Sequence, residues 1–482
     1  MASSMDVLQW LDALSAGQSA VLVAVGAGLL GLIVAFCLSG RGSSGERQKE
    51  EETRTAEVEN VSSAEEGDEK KTEPQKKQWK VKNTGKPKKT VLPSHPLLAA
   101  DFKGHTGAVL SLDFDSTGKY LVSCSEDRTI RLWYMKTLEE KEHKYSRKNV
   151  ELDHATHIKF SPDGTAVLTF LSVANALQVF KIAKQKGSLT VSEPTIDFPK
   201  VDSSTVISMG IASTGKFVMT CTSTAFTIWT LRGEVLATVE TKQTPNSCAI
   251  VSPCGKFIAC SGMYVIHKLC RSPAVDYHNQ SFLIAGFTPD VKIWEVEFSK
   301  GGDFHQVSRA MELKGHSAAV VSLSFNGDSQ RMATASKDGT WKFWNTDVRY
   351  RLSEDPKLLT TGEIPETGST AVAVAPDSRV VAISVDTSLF IFSSSSGDMM
   401  EKLVDVHGDV VSCLCWDPTS QYLVSAGDSD RHIRVWHNHS GRRVHLSEMK
   451  AELPKANSDA MKRRLQAQIE ETEAFLQRVV SC

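Results

Sequence analysis

The sequence predicts an all-β fold built by repetition, on three observations. Residues 102–135 alternate between apolar and polar in three short runs: Val109–Phe114, Tyr120–Ser125 and one closing at Trp133. Polar turns at Ser116-Thr117-Gly118-Lys119 and Glu126-Asp127-Arg128 separate them, the pattern of an antiparallel meander. The same pattern returns at 313–346 and 406–438. There His316, Asp338 and Trp344 repeat the offsets of His105, Asp127 and Trp133, and His407, Asp430 and Trp436 do so with one extra residue. Four weaker copies close at Phe180, Trp229, Trp294 and Phe392, making seven units. One such unit cannot bury its own faces, so the units must stack.

Gly104-His105 and Gly315-His316 at the repeat starts, with a tryptophan closing the third strand, resemble the WD-repeat family over residues 95–440. The resemblance implies a seven-bladed β-propeller at 95–446. It also implies that the histidine, a strand hydroxyl, the turn aspartate and the tryptophan form a buried hydrogen-bonded chain. By position these are His105, Ser123, Asp127 and Trp133, then His316, Thr334, Asp338 and Trp344, with His407, Asp430 and Trp436 in the last repeat. A buried indole needs an acceptor and a buried carboxylate needs donors, so the set reads as structural. A hydrolase reading fails because the set recurs in separate blades and no G-x-S-x-G elbow occurs. No enzyme activity and no cofactor are expected. None of the five closing tryptophans is followed by aspartate; Tyr134, Thr230, Glu295, Asn345 and His437 stand there. That departs from the substrate receptors that use a WDxR signature. A strand from residues 96–102 is expected to pair beside the last repeat and close the ring.

Ahead of the repeats, residues 13–40 carry no charge, and 20–38 are nearly all apolar. About 20 such residues span a bilayer core as a helix. Asp6 and Asp12 precede the span, whereas Arg41, Arg47 and Lys49 follow it, which fits an uncleaved anchor better than a signal peptide. The positive-inside rule puts the N-terminus in the lumen and everything after the span in the cytosol. A short, Gly-containing span suits the thinner endoplasmic reticulum bilayer. Residues 1–40 are thus read as luminal N-terminus and anchor.

Residues 41–94 lack the apolar content to fold and are expected to be a disordered linker, acidic over 46–69 and then basic. Its basic half holds Lys70, Lys71, Lys76, Lys77, Lys80, Lys82, Lys86, Lys88 and Lys89 around Trp79, opposed only by Glu73. Three readings stay open for this run: a solvated tether, RNA contact through phosphates and a stacking tryptophan, or contact with anionic lipid.

Residues 263–286 interrupt the fourth repeat; deleting them restores the spacing of Phe257 to Trp294. They read as an insertion at a turn, added by splicing or gene modelling rather than as a binding arm. Their His267, Cys270 and His278 do not match a structural zinc spacing, and no metal is expected. Residues 447–482 are expected to hold one C-terminal helix, capped by Ser458, with a stripe of Met461, Leu465, Ile469, Leu476 and Val479 packed on the propeller.

Charge sums to 55 Lys and Arg against 57 Asp and Glu, which excludes a globally basic nucleic-acid binder. Ten cysteines without a CxxC pair suit a reducing compartment. The layout of anchor, charged linker, propeller and charged helix resembles membrane-anchored members of the WD-repeat family. That resemblance implies a scaffold in the endoplasmic reticulum membrane. Its implied partners are the stress-activated kinase that phosphorylates translation initiation factor 2, the ribosome and RNA, in the unfolded-protein response. The competing expectation is a guanine-nucleotide exchange factor for a trafficking GTPase. Known anchored propellers of that kind carry the anchor after the propeller, whereas here it comes before.

Overall fold

The computed structural model describes residues 95–482 apart from 141, 186–187, 202–204, 244, 263, 271–281, 457 and 482. The expected anchor at 20–38 and the basic run at 70–89 therefore lie outside the described residues, as does the His278 of the insertion.

Seven four-stranded antiparallel sheets form the blades. Blade 1 is Val109–Phe114, Tyr120–Ser125, Thr129–Tyr134 and Tyr145–Asn149, from the inside outward. Blades 2 to 6 occupy 155–200, 208–240, 246–313, 320–363 and 370–403 in the same order. Each innermost strand neighbours the next, and that of blade 7 neighbours that of blade 1, so the ring is closed.

Blade 7 has three consecutive strands at 411–437, and its outermost strand is Leu98–Phe102 from the start of the ring. Phe102 pairs with Ile433 and Ala100 with Val435. The Phe102 ring then stacks on Trp133 of blade 1, with centroids 5.0 Å apart and planes 8° apart. The closing strand thus supplies ladder bonds to one blade and a buried aromatic to the next. It also covers an edge that would otherwise face solvent.

Inner edges are managed differently. The innermost strands have backbone groups with no ladder partner toward the next blade, and short side chains fill the gap. Ser111 Oγ accepts from Ile158 N at 3.3 Å, and Asp113 Oδ2 from Phe160 N at 2.8 Å. Ser208 accepts from Ala249 N at 3.1 Å, and Ser322 and Ser324 from Val372 N and Val374 N at 3.0 and 2.9 Å. Ser412 Oγ donates to Val109 O at 2.8 Å across the closure. Asp113 also pairs with Lys159 Nζ at 2.8 Å, an ion pair between the innermost strands of blades 1 and 2.

The insertion behaves as its spacing implies. Within blade 4, Ile258 pairs directly with Trp294, as Leu121 pairs with Trp133 and Met332 with Trp344. The inserted strands Tyr264–Cys270 and Phe282–Thr288 pair only with each other, in a separate two-stranded sheet.

Two helices, not one, follow the ring. Helix α1 (His439–Glu452) starts directly after the last strand, so the expected propeller boundary at 446 falls inside it. Asn438 caps it by accepting from Gly441 N at 2.8 Å. Its sequence, with Gly441, Arg442 and Arg443 in the first turn, has no apolar stripe to signal a helix. Tertiary contacts hold it instead: buried Met449, His439 with Glu401 at 2.6 Å, and Glu448 with Arg379 at 2.7 Å. Helix α2 (Asp459–Ser481) has Ser458 Oγ accepting from Met461 N at 3.2 Å. Of its expected stripe, Leu465 and Ile469 are buried with Met449 of α1, whereas Met461 is exposed. Phe475, outside that stripe, packs on His437 at 5.4 Å and lies under the Arg442 guanidinium at 3.8 Å.

Candidate functional site

Blades 1, 5 and 7 each contain a closed hydrogen-bonded chain. In blade 1, Trp133 Nε1 donates to Ser123 Oγ at 2.9 Å, and that hydroxyl lies 2.7 Å from His105 Nε2. His105 Nδ1 lies 3.0 Å from Asp127 Oδ2, which also accepts from Thr106 N at 2.9 Å. A carboxylate only accepts, so the histidine proton sits on Nδ1 and Nε2 receives the serine proton. Blade 5 repeats the chain through Trp344, Thr334, His316 and Asp338 at 3.0, 2.8 and 2.9 Å. In blade 7, Trp436, Ser425, His407 and Asp430 are joined at 2.9, 2.7 and 2.7 Å. Arg434 Nη1 adds a bond to Asp430 at 3.1 Å.

Ser425 was not singled out by sequence reasoning. It lies eleven residues before its tryptophan, where Ser123 lies ten before Trp133, because the turn carries one extra residue. Blade 3 keeps a fragment, Trp229 Nε1 to Thr220 Oγ1 at 2.9 Å, without the histidine and aspartate.

Burial lowers the His105, His316 and His407 pKa values, against the pull of their aspartates, so the rings are neutral. Burial alone would raise the Asp430 carboxyl, but the His407 hydrogen bond and charge outweigh it and hold it at about 2. Asp127 and Asp338 are likewise held below the usual carboxylate range. Ser123, Thr334 and Ser425 are completely buried. No nucleophile is presented to a substrate here; the chains fix strands.

The described thiols Cys124, Cys221, Cys248, Cys254, Cys260, Cys413 and Cys415 are all free. Burial pushes those of Cys248 and Cys413 up to about 11, which makes them poor nucleophiles. Among the described residues no cluster of His, Cys, Asp or Glu could hold a metal, and no helix is long and apolar enough to cross a membrane.

What remains is surface. Two concavities among the described residues expose apolar surface. One, of about 630 Å³, lies on the helical pair beside Leu446 and Leu476, with Arg443 and Lys450 at its edge. The other, of about 560 Å³, opens between blades 2 and 3 over Leu168, Phe198, Ile211 and Val218.

The WD domain, G-beta repeat, matches residues 97–134, 308–345 and 401–437, the three segments that hold complete chains. Each match begins in the outermost strand of one blade and ends in the third strand of the next, so the sequence repeat straddles two blades. Transducin beta-like protein 2 of Mus musculus is 43% identical over 387 residues, 80% of this chain and 82% of the relative. The chain belongs to the transducin beta-like protein 2 family. The Homo sapiens member is also 43% identical, over 388 residues and 81% of its length. WD repeat-containing protein 18 of Danio rerio is more distant, 28% identical over 182 residues, covering 36% of this chain and 38% of that one. Family membership is consistent with a scaffold role.

Proposed function

We propose that the protein is a non-enzymatic scaffold, anchored in the endoplasmic reticulum membrane by residues 20–38, with its propeller in the cytosol. The observation that carries the scaffold reading is the burial of the histidine–hydroxyl–aspartate sets, repeated in three blades, which leaves the propeller surface as the working part. The apolar span followed by Arg41, Arg47 and Lys49 supports the anchor and its orientation. By family resemblance, the cytosolic partners are the stress-activated kinase of translation initiation factor 2 and the ribosome. The lysines around Trp79 supply an RNA contact.

Affinity capture from cells, at rest and under endoplasmic reticulum stress, tests this with the full chain and with a version lacking residues 1–94. The expected result is stress-dependent capture of the kinase and ribosomal subunits by the full chain. Capture of neither removes the scaffold reading. Acceleration of nucleotide release from a trafficking GTPase would replace it with the exchange-factor reading.

A further inference from the structure

The turns between first and second strands interlock around one end of the ring. A Cβ at Gly118 of blade 1 would lie 3.4 Å from Pro418 of blade 7. A Cβ at Gly255 of blade 4 would lie 3.0 Å from Ser213 Oγ and 3.1 Å from Thr214 of blade 3. Cys254 N donates to Ser329 Oγ of blade 5 at 2.8 Å, Asn326 to Ser378 of blade 6 at 2.6 Å, and Asp377 N to Ser420 of blade 7 at 3.1 Å. The turns of blades 2 and 3 lack such a contact: a Cβ at Gly215 of blade 3, the counterpart of Gly255, would meet nothing within 4 Å, nor would one at Gly164 of blade 2. Where the blade 3 turn fails to reach blade 2, the seam opens into the cleft of about 560 Å³.

The cleft is apolar inside and carries one kind of charge. Leu168, Phe198 and Val218 are buried at its floor, and Leu231 overhangs it with 45% of its surface exposed. Asp163 is the one ionisable side chain among the described lining residues. Ser161 and Thr165 donate to its carboxylate, Thr165 Oγ1 at 2.7 Å, and no cation among the described residues pairs with it. The volume lies within the usual range of about 300–1,000 Å³ for ligand clefts, enough for a few side chains.

We propose that the seam between blades 2 and 3 is a docking site for a short peptide segment of a partner protein, which inserts apolar side chains over Leu168 and Phe198 and places a lysine or arginine against Asp163. This rests on the scaffold reading and names one surface for it. Leu231 closes over the inserted side chains, and Asp163 sets the charge preference.

The probe is a panel of 12-residue peptides carrying pairs of Leu, Ile, Phe or Trp at varied spacing, each made with lysine flanks and with glutamate flanks. They are titrated against the full chain in detergent. Saturable binding is expected, about fivefold tighter with lysine flanks, the size expected when an exposed attractive contact becomes repulsive. Asp163→Lys should reverse the flank preference, and Leu231→Glu should weaken both sets. Both positions are at the surface, and an unchanged melting temperature verifies folding. A benzophenone-bearing peptide should crosslink within residues 161–168 or 211–218. No binding up to about 1 mM, equal binding by both flank types, or crosslinks elsewhere would each overturn the proposal. The scaffold reading fails separately, when the full chain captures neither the kinase nor ribosomal subunits.

Discussion

Asp338 ends a chain of three hydrogen bonds, and its carboxylate also accepts from Ser317 N at 3.0 Å and Thr340 Oγ1 at 2.6 Å. Asp338→Ala leaves these donors and His316 unmatched. The expected loss is roughly 1–3 kcal/mol of stability, read by denaturant unfolding, with no change in any activity. The chains also predict a pH profile. The three histidines have folded pKa values below their ordinary 6.5, so the unfolded state binds protons first and stability falls as pH drops below about 6.5. Asp430, held at about 2 against an ordinary 3.8, works in the same direction at lower pH. Its contribution is complete above about pH 4 and lost as pH falls through about 2. Melting temperatures measured from pH 8 to pH 3 should therefore be flat above neutrality and decline in two stages. A rise in stability between pH 6.5 and 5 would contradict the neutral, buried assignment.

At the scale of elements, the ring depends on a strand from its own beginning. Phe102 is 1% exposed and is shared by blades 7 and 1. Phe102→Ala should cost about 3–5 kcal/mol, more than a change confined to one blade edge. Gly362 gives a second test. Its missing side chain lets Trp341 lie against the backbone; a Cβ there would fall 2.2 Å from Trp341 Nε1. Trp341 is fully buried, so it has no room to withdraw. Gly362→Ala should destabilise blade 5 by about 1–3 kcal/mol, again by denaturant unfolding. By contrast, deleting 263–286 should leave the melting temperature unchanged, because blade 4 pairs without the inserted strands.

For the whole molecule, the proposed topology is checked with a glycosylation acceptor in the exposed turn at 300–303. The acceptor should stay unmodified in cells; glycosylation would put the propeller in the lumen. The basic run is tested by titrating single-stranded RNA against residues 41–482, the same chain with its nine lysines changed to glutamine, and residues 95–482. Binding by the first alone, weakening steeply with salt, is expected of counterion release. Equal binding by all three would move the contact to the propeller.

The repeat count, the strand runs and the members of two tetrads were legible because each is a local pattern. Alternation with period two marks a half-buried strand, and fixed offsets between His105, Asp127 and Trp133 recur at His316, Asp338 and Trp344. The insertion was legible for the same reason, since removing it restores a spacing. Ser425 was missed where one extra turn residue shifted the offset. Helix α1 was missed because its residues carry no periodic apolar signal; Arg379 and Glu401 stabilise it from distant parts of the chain. The serines that satisfy the inner edges look like ordinary strand residues until the next blade brings a free N–H to each. The open seam is further still from the sequence. Ser213-Thr214-Gly215-Lys216 repeats the turn residues of Ser116-Thr117-Gly118-Lys119, and only the assembled ring leaves Gly215 without the contact to the preceding blade that Gly118 has. Local periodicity specifies each strand from its own residues, whereas a cleft is a gap between surfaces, set by how separate blades meet.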